Sequence, residues 1–181
     1  MLSIGITGHR ALSQIHLIKT GFHQILMKID QEFKDKDWQI ISLLAEGADR
    51  LVVLSTLEYK PNTRLIVPLP FSVPEYIKDF SSQESKNEFI QLFDLAYEVI
   101  EPEPVSTRDS AYLSAGIQML DRANVLVALW DGKSARKIGG TGNLVDLARQ
   151  RRLPIVWLQC GNGISLGKNQ GNLKFENFHH T

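Results

Sequence analysis

Four stretches of the sequence combine glycine with charged or polar side chains in a pattern that suits the binding of an anion. They are TGHR at 7–10, AEGADR at 45–50, RDSAY at 108–112 and DGKSARKIGGTGN at 131–143. Glycine permits positive φ and close backbone approach, and a following helix offers unpaired N–H groups at the positive end of its dipole. These stretches therefore predict loops that hold a phosphate or a similar anion.

The candidate ligand-binding residues are those that directly follow predicted strands. Arg10 offers a planar guanidinium that matches two phosphate oxygens. Glu46 and Asp49 offer carboxylates to ribose hydroxyls, although Asp49 suits a helix cap slightly better. Arg108 starts a helix and needs an anionic partner there, which Asp109 also provides. The full set is Gly8, His9, Arg10, Glu46, Gly47, Asp49, Arg108, Asp109, Asp131, Gly139, Gly140, Thr141, Gly142 and Asn143.

Apolar runs alternate with amphipathic stretches along the chain and must position these loops. The first helix is predicted from apolar residues spaced by three and four between Leu12 and Phe33, with Ser13 as its cap. Alternation of this kind demands a parallel sheet that is covered on both faces. We predict an α/β fold: a Rossmann-like, doubly wound, mainly parallel six-stranded sheet with helices on both faces, in strand order 3-2-1-4-5-6.

The pattern predicts one domain and one place for a site. The domain is expected to span 1–160, and the Gly/Asn-rich tail at 161–181 is either disordered or a peripheral strand. In an open parallel sheet, ligands bind beyond the carboxyl ends of the strands, at the point where the strand order reverses. The glycine-containing loops should meet at that edge.

Composition narrows the class of partner. The chain of 181 residues has 20 Lys+Arg and 20 Asp+Glu, a balance that argues against nucleic acid as a partner. No apolar segment approaches the ~18 residues that span a bilayer, so no membrane partner is expected. The single cysteine, Cys160, excludes an intramolecular disulfide and favours a cytoplasmic location. Six basic residues and one acidic residue in 132–152 suit a small anion.

Several familiar signatures are incomplete. GKS at 132–134 lacks the upstream glycine of a P-loop, because Val127 stands in that place. GITGHR lacks the third glycine of the dinucleotide fingerprint, and Glu46 lies 38 residues beyond Gly8, which disfavours a nicotinamide dehydrogenase. Neither a metal-ligand cluster nor a Gly-x-Ser-x-Gly nucleophile elbow is present. We therefore expect no metal and no cofactor.

The stretches GITGHR, LLAEGADRL, RDSAYLSAG and GGTGNLVDLARQRRLPIVWL resemble the SLOG superfamily across roughly 3–158. Its relatives include the Lonely-Guy-type phosphoribohydrolases and DprA-like proteins. The resemblance implies a nucleotide site on a Rossmann-like domain. The hydrolases carry Pro-Gly-Gly-x-Gly-Thr-x-x-Glu and an arginine. In this chain Ile138 replaces the proline, Asn143 the threonine and Asp146 the glutamate, and Arg108 matches the arginine loosely.

Two functions follow from the resemblance. One is a sensor-like module that binds a nucleotide or nucleotide-derived small molecule. The alternative is an N-glycosidic hydrolase of nucleoside 5′-monophosphates with Asp146 and Arg108 as catalytic residues, or a deoxyribosyltransferase-like enzyme. Aspartate is one methylene shorter than glutamate, and misplacement by ~1 Å costs about a hundredfold in rate. This departure favours binding. SLOG relatives often dimerise, so a homodimer is compatible with the resemblance.

Overall fold

A computed structural model describes residues 1–34, 36–135, 137–161 and 173–177. It confirms the predicted fold class, a single α/β domain whose mostly parallel sheet is covered on both faces. The strands are β1 Leu2–Gly8, β2 Trp38–Ile41, β3 Arg64–Pro68, β4 Ala96–Ile100, β5 Val125–Trp130, β6 Ile155–Gln159 and β7 Leu173–Glu176. The helices are α1 Ile15–Glu32, α2 Ala48–Tyr59, α3 Val73–Tyr76, α4 Gln83–Phe93, α5 Arg108–Arg122 and α6 Thr141–Gln150, with a 3-10 turn at Ile77–Asp79.

The strand order is β4-β3-β2-β1-β5-β6-β7, so the predicted position of β4 beside β1 was wrong. Burial explains the difference. Every residue of β5 is buried, as the strand beside β1 must be, whereas Tyr97, Glu98 and Val99 of β4 are exposed at an edge. The sheet also has a seventh strand: β7, in the C-terminal tail, pairs antiparallel with β6.

The two faces of the sheet bury separate apolar layers. Along β5, Val125, Val127 and Leu129 pack in the layer under α1 and α2, and the residues between them pack in the layer under α5 and α6. The alternation follows from the two-residue period of a strand. Among the described helices, none is long and apolar enough to cross a membrane.

Two helix starts differ in how they are capped. The helix α1 follows Gln14, which has positive φ and no capping side-chain hydrogen bond, so the prediction of Ser13 as its cap was wrong. The helix α5 follows Thr107, whose Oγ1 accepts a hydrogen bond from the backbone N–H of Ser110 at 3.1 Å. This cap fixes the start of α5, whose first two turns bring Arg108 and Tyr112 to the carboxyl edge of the sheet.

Thr107→Ala is expected to lower the free energy of unfolding by about 1 kcal/mol, because it leaves an N–H group at the helix start without its side-chain acceptor. Thr107→Ser keeps the hydroxyl and should stay near wild type. Urea unfolding followed by circular dichroism measures both changes. If both variants lost the same free energy of unfolding, the methyl group of Thr107, rather than its capping hydroxyl, would be what stabilises the helix.

Candidate functional site

A cavity of about 1390 Å³ opens at the carboxyl edge of the sheet. The ends of β1 and β5, the start of α2, and the first turns of α5 and α6 line it. The predicted site residues that line the cavity are Gly8, His9, Arg10, Asp49, Arg108, Asp109, Asp131, Gly139, Gly140, Thr141 and Gly142. The structure therefore brings together most of the loops that the sequence singled out.

The cavity lies where the strand order reverses. Beyond β1 the chain turns toward β2 on one side, and β5 pairs with β1 on the other. The reversal is thus between β1 and β5, and not between β1 and β4 as predicted. The consequence for the site is small, because α5 crosses back over the sheet from β4 and still brings its first turn to this edge.

The glycine loop before α6 is held tightly against α5. Gly139 has φ +78°, and a Cβ there would lie 2.8 Å from the backbone N of Leu113 and 2.9 Å from the carbonyl O of Asp109. Its N–H donates to Oδ1 of Asn143 at 3.1 Å. Asn143 therefore stabilises the loop through this hydrogen bond and does not line the cavity. The helix starts at Thr141, and Gly140 is its N-cap residue without a capping side chain.

His9 ties the loop after β1 to the loop after β5. Its Nε2 accepts a hydrogen bond from the backbone N–H of Asp131 at 3.0 Å, which requires that nitrogen to be unprotonated. Burial lowers the pKa of His9, against the raising effect of the Asp131 carboxylate, and Lys133 adds to the lowering. His9 is therefore a neutral structural link across the point where the strand order reverses.

Asp49 is a buried carboxyl group in the cavity wall, with 5% of its surface exposed. Ser42 Oγ donates to its Oδ2 at 3.2 Å. Burial raises the pKa of Asp49 to about 7, although hydrogen bonds from Ser42 and Ala45 and the charges of Arg10 and Arg50 act in the opposite direction. The side chain does not cap α2, whose N-cap residue is Gly47. It contributes a buried carboxyl group to the cavity lining.

Arg108 is already bound by two carboxylates. Its Nη1 donates to Oε1 of Glu75 at 2.5 Å, and its Nη2 donates to Oδ1 of Asp79 at 2.6 Å. Both carboxylates come from the segment after β3, so the predicted pairing of Arg108 with Asp109 was wrong. Asp79 also accepts a hydrogen bond from the hydroxyl of Tyr112 at 2.6 Å. The guanidinium of Arg108 is therefore occupied by the protein itself.

Three other predicted residues lie outside the cavity. Glu46 accepts hydrogen bonds from the N–H and Oγ of Ser81 at 2.8 Å, and so holds the start of α4. Gly47 has φ +80°, and a Cβ there would lie 2.1 Å from the carbonyl O of Arg10, so this glycine allows two loops to touch. Asp146 is exposed and pairs with Arg149 at 3.4 Å on the outer side of α6.

Sequence reasoning missed Tyr112, Asp79, Lys133 and Lys137, all of which line the cavity. Tyr112 stands four residues after Arg108, so helical spacing alone places it on the same face. No spacing in the sequence links Asp79 to the other site residues. It belongs to the proline-containing segment after β3, and only long-range packing brings that segment to the site.

The cavity walls carry charges of both signs at different places. The guanidinium of Arg10 stacks on the Tyr112 ring at 4.9 Å, and Lys133 and Lys137 flank the glycine loop.

Within the described residues, no group of three or more His, Cys, Asp or Glu side chains could hold a metal ion. Comparison with models of known protein families and with curated proteins finds no match to this chain.

Proposed function

We propose that the cavity binds a nucleotide or a nucleotide-derived small molecule, with a phosphate group on the glycine loop at the start of α6. The observation that carries the proposal is the position of this loop: Gly139, Gly140, Thr141 and Gly142 line a cavity where the strand order reverses. A helix N-terminus with glycine neighbours offers backbone N–H donors and a favourable dipole to a phosphate. Lys137 adds positive charge beside it, and Lys133, which pairs with Asp131 at 3.7 Å, lines the same cavity.

The remainder of the cavity suits the neutral part of a nucleotide. Asp49 offers a buried oxygen acceptor, and Tyr112 and Trp130 contribute aromatic surface to the lining. Pockets that combine apolar and aromatic walls with a few convergent polar groups are typical of small-molecule sites. The resemblance of the glycine loop to the SLOG superfamily supports the same class of ligand.

We propose binding without cleavage, as in a sensor. A glycosidic hydrolase of the kind that the sequence resembles requires a carboxylate and an arginine at the reacting bond. Asp146 is 54% exposed outside the cavity, and the Arg108 guanidinium is bound to Glu75 and Asp79. Asp146 is therefore outside the site, and Arg108, although it lines the cavity, is held by two carboxylates of the protein.

The test is a panel of AMP, CMP, GMP, UMP, NAD and ADP-ribose, with binding followed by equilibrium dialysis and free base followed by chromatography. We expect at least one compound to bind, no base to be released, and Asp146→Asn to bind as wild type does. Failure of folded protein to bind any compound would overturn the proposal. Base release that disappears in Asp146→Asn would establish the hydrolase instead.

A further inference from the structure

Arg10 presents a positive charge to the cavity without a carboxylate of its own. Its side chain is exposed, and no carboxylate oxygen of the described residues lies within 4.0 Å of its guanidinium nitrogens. Arg108, on the same wall, differs because Glu75 and Asp79 hold it. An arginine is charged at every physiological pH, so any ligand that enters the cavity meets this positive charge.

The carboxylates of Glu75 and Asp79 are engaged by cations other than Arg10. Arg108 and Lys78 supply two cations, and Glu75 and Asp79 supply two carboxylates in contact with them. Asp49 lies in the same cavity wall, and because burial raises its pKa to about 7, its carboxyl is mainly neutral below that pH. Under mildly acidic conditions Asp49 therefore does not offset the charge of Arg10.

Tyr112 contacts both the Arg10 side chain and the glycine loop. The guanidinium carbon lies 4.9 Å from the centre of the Tyr112 ring, and the hydroxyl of that ring is fixed by Asp79. The backbone of Tyr112 packs against Gly139: a Cβ on that glycine would lie 3.2 Å from the carbonyl carbon of Tyr112. Arg10 and the glycine loop thus contact different parts of one residue and line one cavity.

We propose that Arg10 is a second anion-binding point and that the ligand is a nucleotide with two phosphate groups, one on the glycine loop and one on Arg10. The inference rests on the proposed function, since the glycine loop provides the first point. A cavity of about 1390 Å³ exceeds the roughly 300–1,000 Å³ that encloses a typical small ligand. The size is consistent with a ligand larger than a nucleoside monophosphate.

The experiment compares one-phosphate and two-phosphate nucleotides with the same base. AMP, ADP and adenosine 3′,5′-bisphosphate are titrated at pH 6 by calorimetry into wild type, Arg10→Gln and Lys78→Gln. Lys78 is an exposed lysine of the same charge cluster that does not line the cavity, so Lys78→Gln removes an equal charge from outside the site. Circular dichroism establishes that each variant is folded.

In wild type, at least one two-phosphate compound should bind about tenfold more tightly than AMP, the gain expected from one charge-assisted hydrogen-bonded contact. Arg10→Gln should abolish this preference, whereas Lys78→Gln should keep it. If AMP binds and neither two-phosphate compound binds more tightly, the inference fails and the proposed function stands. A preference that survives in Arg10→Gln also overturns the inference. If none of the three compounds binds, both the inference and adenine nucleotide binding at this cavity are overturned.

Discussion

Asp49→Asn is expected to remove a pH dependence of about 4 kcal/mol from the free energy of unfolding. The carboxyl is buried in the cavity wall, and burial raises its pKa from 3.8 to about 7. Between these two pH values the unfolded chain has lost the proton and the folded protein still holds it. The free energy of unfolding of wild type therefore falls as pH rises, by about 1.4 kcal/mol per pH unit over about three units.

The comparison of the two proteins isolates this carboxyl from the other titrating groups. At pH 4 the protonated acid and the asparagine have similar shapes and no charge, so the two proteins should have similar stabilities. At pH 8 the variant should be more stable than wild type, because an amide needs no proton to stay neutral. Its amide oxygen still accepts the hydrogen bond that Ser42 donates to Asp49.

Urea unfolding at several pH values between 4 and 8 measures this difference directly. The stability of each protein is plotted against pH, and the two curves should separate as pH rises and run parallel above pH 7. Curves that stay parallel from pH 4 to pH 8 would mean that Asp49 is ionised throughout in the folded protein. Asp49 would then offset the charge of Arg10 and weaken the attraction of the cavity wall for a second phosphate.

Gly140→Asp and Gly140→Asn are expected to differ by more than tenfold in AMP affinity, although both fold. Gly140 is the N-cap residue of α6, with φ −75° and ψ 166°, a conformation that aspartate and asparagine adopt readily at this position. A Cβ would meet the carbonyl O of Lys137 at 3.3 Å and Ala135 at 3.7 Å, so a shift of a few tenths of an ångström accommodates it.

The two substitutions should move stability and affinity in opposite directions. Either side chain can accept a hydrogen bond at the helix start, and the aspartate charge also favours the helix dipole, so the aspartate variant should be at least as stable as the asparagine variant. The same charge repels a phosphate on the loop. The two side chains have nearly the same shape, so the difference between them reports charge alone.

Calorimetric titration with AMP and with adenosine completes the comparison. Adenosine lacks the phosphate and should bind the two variants equally, which controls for changes in the rest of the cavity. Equal AMP affinities in Gly140→Asp and Gly140→Asn would show that the phosphate does not rest on this loop. Thermal unfolding of the same samples verifies that stability is kept.

The sequence by itself determined the fold class and the edge of the sheet where the site lies. Strand and helix periods are local properties, readable from β5 as six consecutive apolar residues and from α1 as apolar residues spaced by three and four. The residue types in the loop that follows each strand are likewise read directly from the sequence. Since parallel strands end at one edge, these local readings were sufficient to predict that Gly8, Asp131 and Gly140 would share one cavity.

Only the tertiary structure decided which charged side chains face the cavity. Glu46 and Asp49 are three residues apart and looked equivalent, yet Asp49 lines the cavity while Glu46 turns to Ser81, 35 residues further along the chain. Arg108 looked like a catalytic residue until Glu75 and Asp79, about 30 residues earlier, were found on its guanidinium. These pairings depend on the order of strands in the sheet. That order reflects how well each strand is buried among all the others, which no local pattern contains.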